Sequence, residues 1–192
     1  MTNNSNSSKI YKARTIGSFF LLVFLAYGFG QYLFKSESQS EKYAGALLIL
    51  ANSILVLFIG MFLRKTLQQY NVLVGNIYLV TRAFEAIALA TIVLNLIPNV
   101  SIPVEYVYFL AMLVLGLGSI PMCLTLYKHK ISPPWLAIWG VLGYAVFAFG
   151  FLMEFFGNAW SMYLLGLAGL WELTFGIWLI IKGGKNDKTT NR

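Results

Sequence analysis

Long apolar runs alternate with short polar breaks along the chain, and each run is long enough to cross a bilayer, which takes roughly 20 apolar residues. The runs cover about 16–34, 44–63, 72–97, 104–127, 135–156 and 160–181. The breaks hold Lys35 to Lys42, then Arg64-Lys65 with Gln68 to Asn71, then Pro98-Asn99 with Pro103. After these come Lys128-His129-Lys130 with Pro133-Pro134, and finally Gly157-Asn158. Residues of these kinds end helices and turn the chain. The pattern therefore predicts an all-α fold, an integral membrane bundle of six transmembrane helices. Residues 1–15 read as a polar, basic tail, 16–182 as the transmembrane domain and 183–192 as a second polar tail. The basic flank before the first run resembles that of a signal peptide. The run itself exceeds the usual apolar core of about 7–15 residues and has no Ala-x-Ala site, so it is expected to remain as the first helix.

Charges break the apolar pattern near the middle of two of the runs. Arg82 and Glu85 lie in the third run and Glu172 in the sixth. Each such charge at mid-membrane costs roughly 2.5–3.5 kcal/mol on insertion scales, so all three must face other helices or a polar cavity. Arg82 is ten residues from Val72, and Glu172 is ten residues from Lys182 at the same end of the bundle. At about 1.5 Å per residue both sit about 15 Å deep. Glu85 follows Arg82 by three residues and shares its face. Ala168, Gly169 and Gly176 surround Glu172 with small residues, and this face is expected to pack towards the third helix and bring Arg82 to Glu85 and Glu172. Such a cluster serves either as a structural ion-pair network or as a ligand-binding core.

Composition supports the membrane reading. The chain of 192 residues is 58% hydrophobic and 11% charged, with a mean hydropathy of +0.71, against about 25% charged residues in soluble domains. The net charge of +7 would suit nucleic acid, but the basic residues stand at helix ends. One side holds Lys9, Lys12, Arg14, Arg64, Lys65, Lys128, Lys130, Lys182, Lys185, Lys188 and Arg192; the other holds Lys35 and Lys42. This asymmetry predicts that both termini are cytoplasmic. One cysteine and one histidine leave little material for a metal site or a Cys/His dyad, and neither a metal nor a cofactor is expected.

Other positions read more simply. Glu154 falls near the outer interface and ends a stripe of Gly140, Gly143, Phe147 and Gly150; it is expected to be a headgroup-level carboxylate. Pro121 is expected to kink the fourth helix. Cys123 reads as a small buried hydrophobe, His129 as a solvated loop residue, and Trp135, Trp139 and Trp160 as parts of interfacial aromatic belts.

Several stretches together resemble a known family. They are Arg82-Ala83-Phe84-Glu85-Ala86, Gly116-Leu117-Gly118-Ser119 running to Leu126-Tyr127, and Pro133-Pro134-Trp135-Leu136-Ala137-Ile138-Trp139-Gly140 with Gly143-Tyr144. Glu172-Leu173 and Ile177-Trp178-Leu179-Ile180-Ile181-Lys182-Gly183 complete the set. Their order is similar to that of the bacterial multi-pass membrane proteins catalogued as domain of unknown function 4386. The family pattern has a basic residue after the loop proline, where this chain has Pro134. The resemblance implies a helical bundle in a bacterial cytoplasmic membrane and no reaction.

Three classes of function follow as expectations. The first is a non-enzymatic membrane protein whose core of Arg82, Glu85 and Glu172 binds a small ligand, a lipid headgroup or a partner helix. An anionic molecule or anionic lipid suits the fork of Arg82, and its binding is expected to strengthen as pH falls, because one protonated glutamate leaves the cluster neutral. The second is a small secondary transporter or channel-like protein acting as a homodimer. A glutamate in each of helices three and six would fit an inverted 3+3 repeat. The third, a membrane-embedded enzyme using the two glutamates for acid–base work, has no metal-ligand cluster, no serine or cysteine nucleophile with its base and no phosphate-cradling loop to support it.

Overall fold

The computed structural model describes residues 3–182, with side chains from residue 11 to residue 181. The tail at 183–192, with its basic residues, lies outside the described residues. The helices are α1 (Asn3–Phe34), α2 (Gln39–Leu67), α3 (Val72–Thr91), α4 (Val104–Lys128), α5 (Pro134–Glu154) and α6 (Ser161–Lys182), with a 3-10 turn at Ile92–Leu96. All six are long and apolar enough to cross a membrane.

Most boundaries fall within a few residues of the expected ones, and the deviations have local causes. α1 starts at Asn3, well before Ile16, so residues 3–15 are helical where a polar tail was expected. No glycine or proline stands between Asn3 and Ile16, and extending an existing helix is far cheaper than nucleating one. The third span tightens into its 3-10 turn after Thr91, whose hydroxyl bonds back to the Ala88 carbonyl at 2.7 Å. Asn95 then clips the following loop: its side chain accepts from Ile102 N–H at 2.6 Å and donates to the Ile102 carbonyl. Asn99 at φ 64° and Gly157 at φ 79° take the left-handed conformations that turn the chain. Asn71 caps α3 by accepting from the Val74 N–H, and Pro134 occupies the first turn of α5.

Each helix packs on its neighbours in chain order, and α1 closes against α6. The result is a ring of six antiparallel helices. Tyr70 from the α2–α3 turn lies 4.8 Å from His129 of the α4–α5 turn, so these two turns share one end of the bundle. His129 itself is exposed, as expected of a loop residue.

Close helix approaches hold the ring. Gly45 on α2 lies against Gly30 and Phe34 of α1, Gly17 of α1 against Gly176 of α6, and Gly116 of α4 against Ala148 of α5. The seam of α6 corrects one expectation. Its small-residue face was expected to meet α3, but α6 packs on α1 and α5 instead. α3 and α6 stand on opposite sides of the ring, because an up-and-down chain with short turns places consecutive helices side by side.

Polarity runs inside out. On α3 the buried stripe carries Tyr78, Thr81, Arg82 and Glu85, while Leu73, Val80 and Ile87 are about two-thirds exposed. An apolar exterior around a charged interior is what a bilayer demands of a polar cluster. The chain is therefore a multi-pass membrane protein.

Candidate functional site: the Arg82 centre

The buried charges of the described residues are Arg82, Glu85 and Glu172, at 1%, 5% and 8% exposure. They meet in the interior of the ring. Arg82 Nη1 donates to Glu85 Oε2 at 2.9 Å, and Nη2 donates to Glu172 Oε1 at 2.6 Å. Arg82 Nε donates to the Tyr78 hydroxyl at 2.9 Å. On α5, the Tyr144 hydroxyl donates to Glu172 Oε1 at 2.7 Å. Expected depth and observed contact thus agree for Arg82, Glu85 and Glu172.

Aromatic rings enclose the guanidinium. Its carbon lies 5.6 Å from the centroid of Phe20 on α1 and 5.3 Å from that of Tyr78, within cation–π range. Phe20 meets Phe175 edge-on at 5.7 Å, Phe175 stacks on Trp171 at 4.8 Å, and Trp171 meets Tyr144 at 5.2 Å. This wall joins α1, α6 and α5 around the ion pairs. The Trp171 indole N–H donates to the Leu136 carbonyl at 2.6 Å. Gly140 permits that approach, since a β-carbon there would stand 2.7 Å from the indole nitrogen.

Three of the five N–H donors of a guanidinium are engaged by three different side chains, and neither carboxylate takes the bidentate grip. Each glutamate also keeps an oxygen, Glu85 Oε1 and Glu172 Oε2, that accepts no hydrogen bond among the described residues. With both glutamates ionised, one positive charge faces two negative ones. The centre can orient charge and take up a counterion.

Tyr78 and Tyr144 belong to the site although the charge pattern does not single them out. Tyr144 lies ten residues beyond Pro134, the same depth of about 15 Å that places Arg82 and Glu172. Tyr78 sits one turn before Arg82, where an i, i+4 partner belongs.

The remaining singled-out residues lie apart. Glu154 is the last residue of α5, half-buried, and its Oε1 accepts from the Ser161 N–H at 3.0 Å. It satisfies a free N–H at the start of α6 and favours the positive end of that helix dipole. The Gly140–Gly150 stripe is buried against α4 and α6, as a packing stripe should be. Pro121 lies inside α4, which runs on without interruption; its carbonyl accepts from Thr125 Oγ1 at 2.9 Å. Cys123 is buried and lies against Gly140.

Residues 101–183 match the family model described as Domain of unknown function (DUF4386). That stretch carries α4, α5 and α6, with Tyr144 and Glu172, and leaves Arg82 and Glu85 outside it. No curated protein and no solved structure matches the chain.

Proposed function

We propose that this chain is a non-enzymatic protein of a bacterial cytoplasmic membrane whose Arg82–Glu85–Glu172 centre binds a small charged ligand. One observation carries the reading: a single guanidinium is shared between two carboxylates that each retain a free acceptor oxygen inside a closed ring. The low exposure of Arg82, Glu85 and Glu172 inside the ring favours a small solute over a partner helix or a lipid headgroup. A neutral packing core would not need ionic groups, since well-packed apolar residues are often as stabilising or more so.

The test is thermal unfolding of the purified chain in detergent with sodium chloride, choline chloride, sodium phosphate or sodium acetate. A ligand at about 100 times its Kd adds about 2.7 kcal/mol, which raises Tm by several degrees. At least one ion is expected to shift the wild type in this way, and Glu172→Gln is expected to lose most of the shift. Identical responses of the two proteins to every ion would refute the reading.

The distribution of basic residues further supports cytoplasmic termini. With Cys123 buried, single cysteines at Ser38→Cys and His129→Cys report topology in intact cells. A membrane-impermeant maleimide should modify the first and spare the second. The opposite pattern would invert the assignment.

A further inference from the structure

With both glutamates ionised the Arg82 centre is one positive charge short of neutral, and a buried hydroxyl outside the ion pairs faces the same interior. In that ionised state, the buried charges among the described residues number one positive and two negative. The other titratable groups close enough to interact with the centre are Tyr27 from α1, Tyr78 from α3, Tyr108 and Cys123 from α4 and Tyr144 from α5. All are ordinarily uncharged at neutral pH, and α2 adds only the neutral Asn52 and Ser53 to the buried polar residues. An unbalanced negative charge in such a setting is strongly unfavourable.

Ser119 on α4 supplies the independent observation. It is 0% exposed, and its Oγ has no hydrogen-bond partner. Its direction follows from its neighbours. Gly118 lies against Thr81 of α3, whereas Gly116 and Cys123 face Ala148 and Gly140 of α5. At 3.6 residues per turn, Ser119 falls between those two directions and faces the middle of the ring. It stands nine residues from Lys128, a depth of about 14 Å, level with Arg82, Tyr144 and Glu172.

We infer that the centre holds one exchangeable monovalent cation, a proton or an alkali ion, between Glu85 and Glu172, with Ser119 Oγ as a further oxygen donor. This rests on the binding reading above and gives its ligand a sign and a charge. One unit of positive charge balances the two carboxylates against Arg82. Oxygen ligands, including carboxylates and hydroxyls, suit hard cations.

A hydrophobic carbodiimide tests the inference on the full chain in lipid nanodiscs. The protonated acid adds its O–H across a C=N bond of the reagent, and the adduct is located by peptide mass spectrometry. Labelling of Glu85 or Glu172 that falls about tenfold per pH unit above its midpoint identifies a proton. Suppression by sodium chloride but not by choline chloride at fixed pH identifies an alkali ion, and Ser119→Ala should then weaken that protection. Labelling that ignores both pH and sodium overturns the inference.

Thermal unfolding decides the case where the reagent does not reach the acid. The wild-type Tm should respond to pH or sodium, and Glu85→Gln, which balances the charges without an added ion, should abolish the response. Equal responses in both proteins overturn the inference. A Glu172-dependent shift with phosphate, alongside no response to sodium or pH, would remove the cation and leave the binding reading standing. No response to any ion would remove both.

Discussion

Replacing Arg82 with alanine is expected to destabilise the chain by about 3–5 kcal/mol, the range for removing one partner of a buried ion pair. The main physical cause is the uncompensated charge that stays in the interior. Glu85 and Glu172 would remain inside the ring without their cation, and the Tyr78 hydroxyl would have no donor. The cavity beside Phe20 and Tyr78 adds to the destabilisation, because the guanidinium packs on both rings. Arg82→Lys should recover only part of the stability. An ammonium keeps the charge but cannot reach Tyr78, Glu85 and Glu172 in one plane. Unfolding in a denaturing detergent series measures both variants; wild-type stability in Arg82→Ala would show that the centre does not hold the fold.

Gly45→Ala should have the next largest effect, about 3 kcal/mol, at the upper end of the usual cost of overpacking. The added carbon would stand 2.7 Å from the Gly30 carbonyl oxygen and closer still to the Phe34 amide nitrogen. Both are backbone atoms, so no rotamer change relieves the clash and α1 must move away from α2. Gly28→Ala is the matched control. Nothing lies within 4 Å of a β-carbon there, and alanine favours a helix over glycine by up to about 1 kcal/mol. The pair should therefore differ in sign as well as size, and equal melting temperatures would place the α1–α2 seam elsewhere.

The fold was legible because most helix ends carry residues with a local preference for ending a helix. Arg64-Lys65 with Asn71, Pro98-Asn99, Pro133-Pro134 and Gly157-Asn158 mark all but the first of the turns without reference to tertiary structure. The site was legible for the same kind of reason: rise per residue alone put Arg82 and Glu172 at one depth, and the structure joins them at 2.6 Å. The arrangement of helices around the ring was not. Small residues near Glu172 show that something packs closely there, but not which helix. That choice depends on the closure of α1 on α6, where Gly17 meets Gly176, a contact between opposite ends of the chain. Tyr144 carries part of the family resemblance but was not placed in the site, because tyrosine is unremarkable in an apolar span until its depth is compared with that of the charges. The helical start at Asn3 went unmarked because the polar composition there argues against independent order, whereas attachment to a long apolar helix removes the nucleation cost.

The account stands on Arg82 of α3 joining Glu172 of α6 across the interior of the ring. A double-mutant cycle measures that link most directly: unfolding free energies in detergent for the wild type, Arg82→Ala, Glu172→Ala and the double variant. Side chains in direct contact couple by about 0.5–3 kcal/mol, and a buried pair at 2.6 Å belongs in the upper half of that range. The double variant should therefore be clearly more stable than the sum of the single effects predicts. Effects that add to within about 0.3–0.5 kcal/mol, as for distant sites, would contradict the contact and the centre built on it.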